Sequence, residues 1–430
     1  MMGALVRHVR WLAVLIVAAC GGSGSGDTAG GDGGGGGSDG GGTSPDGGDA
    51  AIGPGTDGGV EGGGGGDAGP QGPTLKPNPL ISRGKPIESP QSDAKNAFDG
   101  SYDVNKGVWQ SNNGAGDGTI ADSWVKIDIG VGPTSLLLVY YNNDTFDYTV
   151  PPDQNYGVAT DYTIETSADG TTWKKPVTVT ATGGVTYRNR GHRFDFTGMR
   201  YVRFTMTKCT TTTGGNNAHG RIVEMDVFDA SLGVEDTWLF AGSGPIRSGY
   251  DGRITPSYAD LVHTSHAAYN PAVIDIADTE ATSAKMLTQL DGWIALNPDY
   301  THWVLPYGLY ETSAPLADYI ANMQQAVDKL KAAGKQPIVP RLSYVAPAGC
   351  GSEQISCPMI DAFNTAIDAF VAKNGLLPGA DLHAWFAAHP EQLCVSGQCE
   401  TNWIGIEPND LGVAGENAQW ALTLDPLYKK

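Results

Sequence analysis

Along this chain the spacing of apolar and polar residues changes rhythm once in its folded part. Between residues 77 and 231 the apolar positions fall in short runs, at 124–129, 135–141, 161–167, 192–196, 201–206 and 221–228, several alternating with polar ones. Alternation places one side of a run inside and the other in water, as half-buried antiparallel strands require. Asp169-Gly170 and Thr197-Gly198 punctuate the runs as turns. Many short strands with no long amphipathic helix among them predict a β-sandwich.

From residue 236 to 430 the period lengthens. Apolar strand runs at 238–241, 272–276, 302–305 and 336–339 are separated by helical patterns. Leu316, Tyr319, Ile320, Met323, Val327 and Leu330 share one helix face, and Ile360, Phe363, Ile367 and Phe370 share another. Gly334 and Gly375 stand where helix C-termini take glycine. Strands alternating with helices predict βαβ units and a parallel sheet, hence a three-layer α/β domain. Ligands of such sheets sit at the C-terminal strand edge.

Ahead of both regions the composition excludes a packed core. Residues 21–70 hold 26 Gly, eight acidic residues and no Lys or Arg, too little apolar surface to offset the entropy of ordering. Residues 21–76 are therefore a flexible linker, with a reach of roughly 40 Å. Residues 1–20 read as a targeting segment: Arg7, His8 and Arg10 precede an apolar stretch, 11–19, too short to span a bilayer. Val17-Ala18-Ala19-Cys20 looks like a bacterial lipobox, with Cys20 the lipidated first residue of the mature chain. The other reading is an ordinary secretory signal with a cysteine at its cleavage site. The expectation is an exported protein, lipid-anchored at the outer membrane or cell surface and touching membrane through the anchor alone. A net charge of −20 argues against a nucleic-acid partner.

Export permits disulfides. Cys350 with Cys357, and Cys394 with Cys399, are close enough to close small loops, leaving Cys209 free. Metal binding by those four is the alternative, and sequence alone does not fix the connectivity.

Ala97-Phe-Asp-Gly100, Trp109, Trp124-Val-Lys-Ile-Asp-Ile-Gly130, Tyr162-Thr-Ile-Glu-Thr-Ser-Ala-Asp-Gly170, Trp173, Phe196-Thr-Gly-Met-Arg-Tyr-Val-Arg-Phe204 and Ile222-Val-Glu-Met-Asp-Val227 follow one another as in a discoidin-type, or coagulation-factor C-type, domain. The resemblance implies a jelly-roll β-sandwich that binds carbohydrate through loops at one end. It also implies a structural calcium ion, with Asp99 and Glu224 as side-chain ligands and Asp103 a candidate. The segment 101–108 is longer than the family pattern, which puts that ion in doubt. Phe146, Tyr148 and Tyr156 on one loop, with Arg188 and Arg190 on another, are the sugar-binding candidates. The plainer alternative is that these aromatics pack their loop onto the domain.

Asp236-Thr-Trp-Leu-Phe-Ala-Gly-Ser-Gly-Pro245 resembles the first block of the SGNH (GDSL-like) hydrolases, and Gly405-Ile-Glu-Pro-Asn-Asp-Leu-Gly412 the last. The resemblance implies an esterase fold with a Ser, Asp and His triad. Here those three positions read Gly244, Ile404 and Glu407, and Tyr310 stands where the family has its oxyanion Asn. Loss of nucleophile, orienter and base together leaves little acyl-transfer chemistry. Ser243, Tyr310, Glu311 and Glu407 could still bind a polyol, so Tyr310 and Glu311 join the ligand candidates. A register shift presenting Ser243 as nucleophile with Glu407 as base keeps an active carbohydrate acetyl esterase open. A glycosidase using the Glu311 and Glu407 carboxylates is a third possibility. The preferred expectation is a surface lipoprotein that binds polysaccharide and has a non-catalytic α/β domain. An adhesion or assembly protein without a glycan ligand is the remaining alternative.

Overall fold

The computed structural model describes residues 75–102, 107–112, 117–142, 157–180, 189–210, 219–242, 256–276, 281–350, 354–395 and 404–428. Its N-terminal folded part is an antiparallel β-sandwich. One sheet takes β1 (Ile87–Glu88), β3 (Thr119–Asp128), β8 (Tyr201–Cys209), β5 (Ala159–Ser167) and β6 (Lys174–Val179), in that order. The other takes β10 (Glu224–Asp229), β4 (Ser135–Tyr141) and β7 (Arg190–Asp195), while β2 (Trp109–Gln110) pairs with β9 (Arg221–Ile222).

Strand β4 carries the logic of the whole molecule. Leu136, Leu138 and Tyr140 point into the sandwich and cluster with Val125, Ile164 and Phe204. The alternate residues Leu137, Val139 and Tyr141 belong to a different cluster, shared with Leu239, Ile274 and Tyr300 of the C-terminal part. Both faces of β4 are thus buried, which is why the run is apolar at consecutive positions rather than alternating. Each such Leu or Val contributes about 1.5–3 kcal/mol on burial.

The C-terminal part is a parallel sheet ordered β12-β11-β13-β14-β15, from β11 (Thr237–Phe240), β12 (Ala272–Asp275), β13 (His302–Val304), β14 (Gln336–Val339) and β15 (Leu377–Pro378). Trp238, Phe240, Val304 and Ile338 meet α1 (Tyr258–Ser265), α5 (Leu382–Ala388) and α6 (Asp410–Leu424) through Tyr258, Phe386 and Trp420. Leu239, Ile274, Trp303 and Val339 face α2 (Ser283–Leu296), α3 (Leu316–Ala332) and α4 (Cys357–Asn374) through Met286, Met323 and Phe363. Helices on both faces of a parallel sheet make the predicted three layers.

Strand β12 is a sheet edge, and an open edge presents unpaired carbonyls. The sandwich covers it. Tyr141 Oη donates to Val273 O at 2.9 Å, and Asn189 Nδ2 donates to Asp275 O at 3.3 Å. The two parts approach so closely that a Cβ on Gly191 would lie 2.7 Å from the Tyr300 ring.

Cys350 and Cys357 form a disulfide, with Cα atoms 5.6 Å apart. Cys394 is disulfide-bonded as well, Cys399 lies outside the described residues, and Cys209 is free and buried. Among the described residues no helix is long and apolar enough to cross a membrane.

Candidate functional site at the C-terminal edge of the parallel sheet

Chain segments leaving β11, β12, β13 and β14 converge at one edge, with the segment that leads into α6. Ser243 and Gly244 lie outside the described residues. The residue before them is fixed by packing: a Cβ on Gly242 would stand 2.4 Å from Pro306 Cγ. Tyr310 and Glu311 sit in the turn after β13, both buried.

Both carboxylate oxygens of Glu311 hold Ser283. Its Oε1 accepts the Ser283 N–H at 2.9 Å and its Oε2 the Ser283 hydroxyl at 2.8 Å, while Asn322 Nδ2 donates to the same hydroxyl at 3.0 Å. The carboxylate closes the N-terminus of α2, where backbone N–H groups lack partners and the helix dipole favours negative charge. Burial raises its pKa, and the two Ser283 bonds pull against that. Glu311, one of the expected ligand groups, thereby also ties the turn after β13 to α2.

Capping and packing contacts hold the block around Glu407. Asn409 caps α6, its Oδ1 accepting from the Leu411 and Gly412 amides at 3.1 Å, and its Nδ2 donates to Glu391 O at 2.9 Å. A Cβ on Gly412 would lie 2.3 Å from Gln392 O. Those two contacts account for the Asn and Gly of Pro408-Asn-Asp-Leu-Gly412. Ile404 is half-buried and carries no polar side-chain atom. Half-buried Glu407 is tied down through its carbonyl, which accepts the Cys394 N–H at 2.8 Å.

The neighbour that Glu407 acts on electrostatically is Glu416, a residue absent from the sequence-derived candidates. Glu416 is 1% exposed, and among the described residues neither carboxyl oxygen has a hydrogen-bond partner. Burial first, and then the charge of Glu407, raise its pKa well above the carboxylate range. It is therefore a buried acid beside a second acid. Nothing local marks it, because Gly415-Glu-Asn-Ala418 reads as ordinary helix surface.

Of the described histidines, His383 packs against Tyr344, in the segment leaving β14, with ring centroids 5.9 Å apart, while His266 and His302 stand at the other end of the sheet. His266 Nε2 contacts Asp425 Oδ1 at 2.7 Å, a spacing suited to a base and its orienter. But His266 stacks on Tyr428, ring centroids 5.4 Å apart, and Tyr428 Oη donates to Asp236 Oδ1 at 3.1 Å. Asp236 immediately precedes β11, so this dyad lies at the N-terminal strand edge, opposite the candidate site. His302 opens β13 and stacks on Trp238 at 4.2 Å, and burial pushes its pKa down to about 4.

In the sandwich, Phe146, Tyr148, Tyr156 and Arg188 lie outside the described residues, as does Asp103. Arg190 begins β7, its guanidinium 5.9 Å from the Tyr162 ring centroid, and Tyr162 Oη meets His192 Nε2 at 2.5 Å. Asn189 accepts the Asn142 N–H at 3.1 Å. With its bond to Asp275, the strand end that leads into the sheet edge, it sets this end of the sandwich against the candidate site. Asp99 is exposed, its Oδ1 accepting the Ser101 N–H at 2.8 Å in a local turn, and Glu224 is fully buried. Among the described residues no three His, Cys, Asp or Glu side chains stand together as a metal site.

Residues 82–225 match the F5/8 type C domain. F5/8 type C, or discoidin, domains point to carbohydrate binding in general. No curated protein sequence matches the chain. Solved structures with similarity include a lipase/acylhydrolase from Enterococcus faecalis, 17% identical, covering 45% of this chain and 97% of that one at a TM-score of 0.36. A variant of Axe2, an acetyl-xylooligosaccharide esterase from Geobacillus, is 16% identical, covering 46% and 96% at 0.35. YxiM from Bacillus subtilis is 13% identical, covering 75% and 91% at 0.39.

Proposed function

We propose that this is an exported glycan-binding protein, anchored at the outer membrane or cell surface through lipid on Cys20. In this reading the linker, 21–76, holds the F5/8 type C module and its α/β partner away from the membrane. The module recognises polysaccharide through the loops that carry Phe146, Tyr148, Tyr156 and Arg188. The α/β domain supports that surface and does not hydrolyse esters.

One observation carries the non-catalytic half of this reading. At the position where the resemblance places an imidazole base stands Glu407, whose charge acts on the buried Glu416, with Ile404 in place of an orienting carboxylate. Two carboxyls cannot reproduce the relay in which an imidazole takes the nucleophile's proton and returns it to the leaving group. Supporting it, the residues of the motifs that persist, Gly242, Asn409 and Gly412, each have a packing or capping role.

The glycan half is tested by applying the full chain to a glycan array, alongside a variant with Phe146, Tyr148 and Tyr156 changed to Ala. Binding to a defined set of sugars, lost in the variant, is the expected result. An empty array would favour a surface assembly role instead, and binding indifferent to the three aromatics would place the sugar site elsewhere.

A further inference from the structure

Glu224 and Asp226, at the start of β10, are two carboxylates at 0% and 2% exposure. Buried charge of one sign requires a counter-charge. That counter-charge is Arg83, from the segment entering the sandwich. Its Nη1 lies 2.6 Å from Glu224 Oε1 and its Nη2 2.7 Å from Asp226 Oδ1. The remaining oxygens are taken as well. Gly100 N–H donates to Glu224 Oε2 at 2.9 Å, and Tyr102 Oη donates to Asp226 Oδ2 at 2.6 Å while receiving Arg83 Nη2 at 3.3 Å.

The cluster joins three stretches distant in sequence: the entry segment at Arg83, the Asp99-Gly100 turn, and β10. Joining that turn to the last strand is the task the discoidin resemblance gives to calcium. A calcium ion binds oxygen at about 2.3–2.6 Å, and on Glu224 Oε1 it would sit inside the volume of the guanidinium and be repelled by its charge. Asp99, the other expected ligand, is turned to solvent in its own turn. The residues present therefore do not fit calcium.

We infer that Arg83 is a built-in cation that replaces the expected calcium ion, so that the F5/8 type C module folds and binds independently of divalent metal. The guanidinium suits the role because its planar fork meets two carboxylates from one rigid group. Burial alone would lower the pKa of Arg83, but Asp226 and then Glu224 more than offset this and raise it. The cation is thus permanent at any pH the protein meets. Tyr102 extends the cluster toward the domain seam, its ring edge-on to Tyr141 at 4.9 Å.

The experiment is thermal melting of the full chain in excess EDTA and in excess calcium chloride, for the wild type, Arg83→Met, and Arg83→Met combined with Glu224→Gln and Asp226→Asn. The wild type should melt at one temperature in both. Arg83→Met strands two buried carboxylates, so it should melt lower or fail to fold. Where it folds, calcium should raise its melting temperature by roughly 5–10 °C, the effect of a site filled well above its Kd. The triple variant, of similar shape with no buried charge, should melt above the single and ignore calcium. A wild type that EDTA destabilises and calcium restores overturns the inference. So does an Arg83→Met protein that melts like the wild type, or a triple that melts no higher than the single.

Discussion

Asp236 offers a perturbation whose size can be worked from its surroundings. It is fully buried, and its Oδ1 accepts from Trp238 Nε1 at 2.8 Å and Tyr428 Oη at 3.1 Å, while Oδ2 has no partner. Burial raises its pKa from 3.8 to about 7, against the pull of those two donors. An acid whose folded-state pKa is raised lends stability that is whole below its unfolded pKa and is lost as pH rises through the folded value. At 1.36 kcal/mol for each pH unit of separation, the loss totals about 4 kcal/mol by pH 8, about half of it above pH 5.5. Asp236→Asn keeps the Oδ1 acceptor and cannot ionise. Guanidinium unfolding of both proteins across this range measures the effect. The free-energy difference between them should shift by about 2 kcal/mol in favour of the variant from pH 5.5 to 8. Glu416 adds a slope of the same sign to both proteins, so it cancels in that difference. A difference that stays flat with pH would refute the buried-acid argument.

Further consequences concern the seam and Glu311. Tyr141→Phe leaves the Val273 carbonyl without its donor inside the interface, costing about 1–3 kcal/mol; calorimetry should show a lower melting temperature in a single transition, and an unchanged one would mean that the edge is not sealed there. Asn189→Ala removes the bonds to Asn142 and Asp275 and should act in the same direction, with a similar loss in the same scan. Glu311→Ala should lower the melting temperature by uncapping α2, a cost of about 1–3 kcal/mol, without changing glycan binding; the reverse pattern would make Glu311 a ligand group after all.

What the sequence disclosed follows from which forces are local. The apolar run at 135–141 was legible as a strand, but only the structure shows that both its faces are buried, the second against the α/β domain. Helices α3 and α4 were legible from their stripes, because a stripe is set by burial along the whole element. Strand β6 went unread: Lys174-Lys-Pro-Val-Thr-Val179 is mostly exposed and holds a proline. Strand β15 is two residues long, too short for any period. At the site, the resemblance read from the sequence put Gly244, Ile404 and Glu407 where the family has Ser, Asp and His. The roles of Glu311, Glu416 and Arg83 could not be read there, because each depends on a partner brought close only by folding. Glu311 meets Ser283, 28 residues away, and Arg83 meets Glu224, 141 residues away.

The central proposal is that the α/β domain does not hydrolyse esters. Turnover of p-nitrophenyl acetate and of an acetylated xylan by the full chain, compared with a Ser243→Ala variant, tests it most directly. The account predicts that the two proteins release product at the same rate, that of buffer alone. Turnover that depends on Ser243 would contradict it.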